Sequence, residues 1–123
     1  MNFKFSGINI QSDRPADTFA FYKKLGFRAL EECAPDDKWY GAEFALQDDS
    51  DEPKIWIWRR QPGDDMVVQN LFVFRSGEKE DRLDELYTQF TQAGVSCPKP
   101  ETAVWGGREM MLTDPDGNRL LFL

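Results

Sequence analysis

Trp56 and Trp58 stand two apart in the stretch Lys-Ile-Trp-Ile-Trp-Arg, which puts both indoles on one face of an extended strand and Ile55 and Ile57 on the other. Indole faces hold flat heteroaromatic compounds and cations, and packing in a core or subunit interface is an equally weighted reading. Trp39, Tyr40 and Trp105 fall at strand starts or loops, where they could rim an opening or simply pack on the surface. The chain has no histidine. That removes the commonest general base and the commonest metal ligand together. Ser-His-Asp and Cys-His nucleophiles are impossible within one chain. Cys33 and Cys97 lie far apart without a CxxC pair, so two free thiols are favoured over a disulfide, and zinc held by Cys and His is implausible.

The elements that must position these residues are legible from periodicity. Phe3 to Ile10 alternates, with Phe3, Phe5, Gly7 and Asn9 on one face and Ile8 and Ile10 on the other. Ser12-Asp13-Arg14-Pro15 opens a helix in which Phe19, Tyr22 and Leu25 recur at helical spacing, and Gly26 ends it. Strands are expected over 27–33, 39–46 and 54–60, with the acidic loop 48–52 read as a solvated edge or as an attraction for a basic ligand tail. Gln61-Pro62-Gly63-Asp64-Asp65 breaks the pattern and reads as a linker. The order then repeats: a strand over 66–74, a helix over 78–93 with Leu83, Leu86, Phe90 and Ala93 inward and Gly94 as its cap, a short strand around 100–104, and strands over 109–113 and 119–123. The expectation is an α+β fold of two βαβββ modules, 1–60 and 66–123, in a single domain over 1–123. Their free sheet faces would curve into a cleft.

At 123 residues and 41% hydrophobic content, the chain can bury one real core. A formal charge of -7 argues against nucleic acid as a partner and favours cations weakly. No early segment looks like a signal peptide and no apolar run approaches a membrane span, so a cytoplasmic protein with no membrane partner is expected.

Phe21-Tyr22-Lys23-Lys24-Leu25-Gly26-Phe27, the helix stretch Leu86 to Val95, and Asp114-Pro115-Asp116-Gly117-Asn118 near the end occur in order over essentially the whole chain. In these residues the sequence resembles the vicinal oxygen chelate superfamily of glyoxalases, extradiol dioxygenases and bleomycin resistance proteins. Trp105 to Phe122 is most similar to the bleomycin resistance branch. The Asp-Pro-Asp-Gly-Asn string itself reads as a turn that forces a hairpin. Catalytic members hold a divalent ion with His, Gln or Glu from four strands. The resemblance places those positions at Gly7, near Trp56, near Gln69, and at Leu121. Of these only Gln69 offers an oxygen, and a one-residue shift in register does no better.

On this register the cleft carries Phe5, Gly7, Asn9, Trp56 and Trp58 from the first half, and Gln69, Leu71, Val73, Leu121 and Leu123 from the second. Trp39 and Trp105 would lie at the rim. The expected ligand-binding set is Phe5, Asn9, Trp39, Trp56, Trp58, Gln69, Leu71, Trp105 and Leu121, with no metal, cofactor or catalytic residue. Arg108 and Glu109 could pair with each other or with acidic neighbours. The resemblance implies a homodimer. The favoured function is non-enzymatic sequestration of an aromatic or cationic compound, as in antibiotic resistance. The alternative is a glyoxalase-like lyase or isomerase using Glu43 or Glu109 as base, with or without metal. A third reading is a domain that only binds another protein.

Overall fold

A computed structural model describes residues 2–65, 68–79 and 81–123. The expected strand over 66–74 and helix over 78–93 include Met66, Val67 and Glu80, which lie outside the described residues. The elements run β1 (Gly7–Ser12), α1 (Pro15–Leu25), β2 (Arg28–Glu32), β3 (Gly41–Ala45), β4 (Lys54–Arg59), β5 (Leu71–Phe74), α2 (Arg82–Gln92), β6 (Glu101–Thr102), β7 (Arg108–Thr113) and β8 (Arg119–Phe122). This is the α+β order βαβββ, written twice. The chain divides into two compact units, Met1–Val68 and Gln69–Leu123.

In the first unit the strand order is β1-β4-β3-β2, with β1 parallel to β4 and the other pairs antiparallel. Gly7 makes the parallel start possible: a Cβ there would sit 2.1 Å from the Lys54 carbonyl oxygen, and its φ of 149° lies where side chains are strained. One face of this sheet is apolar: Ile10, Ala42, Phe44, Ile55 and Ile57 are buried against Phe19, Tyr22 and Leu25 of α1. Phe19, Tyr22 and Phe44 form an aromatic cluster with ring centroids 5.9 to 6.2 Å apart for the pairs that include Phe44. Full burial of such a side chain contributes about 1.5–3 kcal/mol, which fixes α1 on this face rather than the other.

The second unit repeats the arrangement as β5-β8-β7-β6, with β5 parallel to β8. Phe72, Met110, Leu112, Leu120 and Phe122 are buried on the side of Leu83, Leu86 and Phe90 of α2. Both helices end alike. Gly26 and Gly94 take positive φ, and the next residue's N–H reaches back to the last turn, Phe27 to Tyr22 and Val95 to Phe90. Tyr22 and Phe27 then pack ring against ring at 5.8 Å.

Several boundaries correct the sequence reading. Phe3 and Phe5 alternate but precede β1 and are exposed, Phe5 by 66%, because pairing with β4 begins only at Gly7 and continues to Ser12. Trp39 lies in a turn before β3, where its N–H donates to Asp37 Oδ1 at 2.8 Å. The β5 strand starts at Leu71, and α2 starts at Arg82. Ala93 is exposed and Val95 takes the inward position, because the turn at Gly94 folds the chain back over Phe90. The stretch read as a mere linker is bound to the first unit, with Gln61 Nε2 donating to the Lys38 carbonyl at 2.8 Å.

The Asp114-to-Asn118 turn is more than local. Asp114 accepts from the N–H groups of Asp116 and Asn118 and from Asn118 Nδ2, at 2.8 to 2.9 Å. Buried Asn118 in turn accepts from the Asn70 N–H at 2.9 Å and from Asn70 Nδ2 at 3.1 Å. The hairpin motif therefore also fastens the chain just before β5. Among the described residues, no helix is long and apolar enough to cross a membrane.

Candidate functional site

With α1 covering one side of the first sheet, its other side is set by register. Asn9 lies beside Trp56 and Gln11 beside Trp58 across the parallel pair, while Glu43 faces Trp56 and Gly41 faces Trp58 across the antiparallel pair. Among the described residues this face carries amides, indoles and two carboxylates, Glu43 and its cross-strand partner Glu31. Trp56 is tied down: its Nε1–H donates to Glu43 Oε1 at 2.9 Å, Lys54 Nζ lies 3.6 Å from Glu43 Oε2, and the same ammonium sits 5.7 Å from the Trp56 ring centroid. Trp58 instead lies flat on the backbone of Gly41, where a Cβ would come within 2.0 Å of its ring. Glycine at 41 is what lets that indole lie against the sheet.

Asn9, Gln11 and Trp58 of this face help to wall a pocket of about 380 Å³. Trp58 and Trp39 supply the aromatic walls, Asn9, Gln11 and Gln61 supply amides, and Arg59 and Asp64 supply charge. Asp64 is drawn in by the returning chain: its Oδ2 accepts from the Gln61 N–H at 2.8 Å and from Gln11 Nε2 at 3.1 Å. Arg59 directs its guanidinium to the carbonyls of Pro35 and Asp37, at 3.1 and 3.3 Å, and over the Tyr40 ring. Such a set binds by stacking and by hydrogen bonds to groups already held in place.

Of the nine residues expected to bind ligand, Asn9, Trp39 and Trp58 line this pocket. Trp56 is on the same sheet face but is engaged with Glu43, and Phe5 stands outside the strand. The remaining four belong to the second unit. Leu71 and Leu121 are on the sheet face away from α2, where Val73 and Met111 are also exposed. Gln69 lies at the hairpin turn, its carboxamide over Gly117, and Trp105 folds its ring over Gly107 in the turn between β6 and β7. Gln11, Arg59, Gln61 and Asp64 were missed. Gln11 has the strand parity of Asn9, so extending β1 by two residues would have found it. Arg59 is in β4 at the parity opposite to Trp58, and Gln61 and Asp64 depend on how the chain folds back after β4, which no local periodicity encodes.

Other candidate chemistry is accounted for structurally. Arg108 forms a two-pronged pair with Asp84 of α2, at 2.8 and 2.9 Å, and this guanidinium holds the exposed Asp84 carboxyl below its ordinary range. The acidic loop is gripped by Arg28, which donates to Asp51 and to the carbonyls of Gln47 and Ser50. Both cysteines are free, and burial pushes the Cys97 thiol up.

The sequence pattern of the Glyoxalase/Bleomycin resistance protein/Dioxygenase superfamily matches residues 4–122. The chain belongs to this superfamily. Solved structures agree. A bleomycin-binding protein complexed with bleomycin is 25% identical with a TM-score of 0.65, over 98% of this chain and 97% of that one. A bleomycin resistance determinant encoded on the transposon Tn5 is 25% identical with a TM-score of 0.65, over 98% and 96%. A lactoylglutathione lyase from Agrobacterium tumefaciens is 16% identical with a TM-score of 0.70, over 98% and 92%. Compared by sequence, none of the curated proteins matches.

The superfamily's metal positions, as the sequence places them, do not fit a divalent ion in this chain. At Gly7 no side chain fits against the Lys54 carbonyl, at Trp56 the indole N–H is spent on Glu43, Leu121 is apolar, and the Gln69 amide lies over Gly117. A hard cation needs several oxygen ligands with carboxylates to offset its charge. Among the described residues, no group of three or more Cys, Asp or Glu is placed to hold one.

Proposed function

We propose that this superfamily member binds a small molecule, holding a flat aromatic or cationic compound against Trp58 and Trp39 without converting it. The observation that carries this reading is the first-unit pocket, where two indoles and three amides surround a volume within the usual range for ligand sites, about 300–1,000 Å³. The 25% identity to a bleomycin-binding protein complexed with bleomycin supports the same class of function. The alternative of a glyoxalase-like lyase or isomerase has less behind it. Glu43, on the open face of the first sheet, is already held by Trp56 and Lys54.

Tryptophan fluorescence, titrated with planar heteroaromatic compounds including a bleomycin-type glycopeptide, tests the reading. Saturable quenching by at least one member is expected in the wild type and not in Trp58→Ala. Absence of quenching by the whole panel would overturn it. The same reading makes the protein a cytoplasmic resistance factor acting by sequestration. It also makes it a homodimer, with exposed Leu71, Val73 and Met111 of the second sheet as the apolar surface to be covered. Light scattering that gives the mass of one chain at micromolar concentration would refute the dimer.

A further inference from the structure

The pocket holds a carboxylate and an indole that have no cation partner among the described residues. Asp64 uses Oδ2 for Gln61 and Gln11, both uncharged donors, and among the described residues no Lys or Arg lies within ion-pair distance of it. The first unit's other tryptophans each already carry an ammonium: Lys38 Nζ is 5.3 Å from the Trp39 ring and Lys54 Nζ is 5.7 Å from the Trp56 ring. Among the described residues, Trp58 carries none. The one cation lining the pocket, Arg59, spends its guanidinium on two carbonyls and the Tyr40 ring.

Resting on the binder reading above, we propose that this pocket selects planar monocations, with Asp64 as the charge-recognising residue and Trp58 as the stacking surface. A cation over an indole face gains from the ring quadrupole, and the neighbouring Asp64 carboxylate adds direct attraction. The amides of Asn9 and Gln11 accept hydrogen bonds from the edge of such a ligand without competing for its charge. The volume of about 380 Å³ suits one or two fused rings. A long-range contribution from the net charge of -7 favours cations everywhere on the surface, so the test must separate it from Asp64.

Calorimetric titration with N-methylquinolinium and with neutral quinoline at neutral pH makes that separation. The wild type should bind the cation about tenfold more tightly than its neutral counterpart. Asp64→Asn keeps an oxygen that can accept from Gln61 and Gln11 but removes the charge, and it should cut the ratio of the two affinities severalfold, with an unchanged circular dichroism spectrum showing that the fold is kept. Asp49→Asn removes the same charge from the loop between β3 and β4, at the opposite end of those strands, and should leave the preference unchanged. Equal affinities in the wild type, a preference undiminished in Asp64→Asn, or an equal loss in Asp49→Asn would each overturn the inference and spare the binder reading. Failure of both ligands to bind wild-type protein while the wider panel quenches overturns the inference alone, and silence of the whole panel overturns both.

Discussion

Gly41 and Trp58 show how a residue without a side chain determines the shape of a site. The indole occupies the space a Cβ would take, so Gly41→Ala forces it off the sheet, at a cost of about 1–3 kcal/mol in stability. Gly41→Ala should lose ligand-dependent quenching as Trp58→Ala does while keeping its strand circular dichroism. Full quenching in Gly41→Ala would show that the indole position is immaterial. Asn118 is the other residue on which much rests, since its side chain is bonded to both Asp114 and Asn70 in a buried setting. Asn118→Ala leaves several buried polar groups unsatisfied and should cost about 3 kcal/mol in urea unfolding. A change within error would contradict the assigned network. At this scale the sequence showed the indoles and Asn9. It did not show Asp64, because an aspartate after Pro-Gly reads equally well as any solvated turn.

The elements are joined by a few specific ties, of which Arg108 to Asp84 links the start of β7 to α2. Because the guanidinium depresses the Asp84 pKa in the folded state, the stabilisation it gives is fully present above the unfolded carboxylate range and is lost as pH falls through the depressed value. Arg108→Gln should therefore raise the Asp84 midpoint toward its ordinary value in a side-chain NMR titration. An unmoved midpoint would show that the pair does not form in solution. Helices were the most legible elements, since Phe19, Tyr22 and Leu25 keep a 3.6-residue period up to a glycine that can take positive φ. Strand starts were less so. Phe3 and Phe5 alternate as well as any paired residues, and only the partner strand decides that pairing begins at Gly7.

For the whole molecule, two units repeat one topology but present different open faces. The first is amide and indole with Glu31, Glu43 and Lys54, and the second sets exposed Leu71, Val73 and Met111 beside Glu109 and Arg119. The shared topology follows from the repeated order of elements, which is why the superfamily could be read from short motifs. The difference between the faces lies in single residues such as Trp58 and Leu121, which motifs do not specify. Four poor ligand positions predict that elemental analysis of the purified protein finds well below one tightly bound divalent ion per chain, and about one per chain would contradict this. The most direct test of the central claim is equilibrium dialysis of a panel of planar heteroaromatic compounds, neutral and cationic, against wild-type protein, with any retained compound analysed by mass spectrometry. Retention at saturation with the compound's mass unchanged is the predicted result. No retention, or recovery of a chemically altered compound, would contradict it.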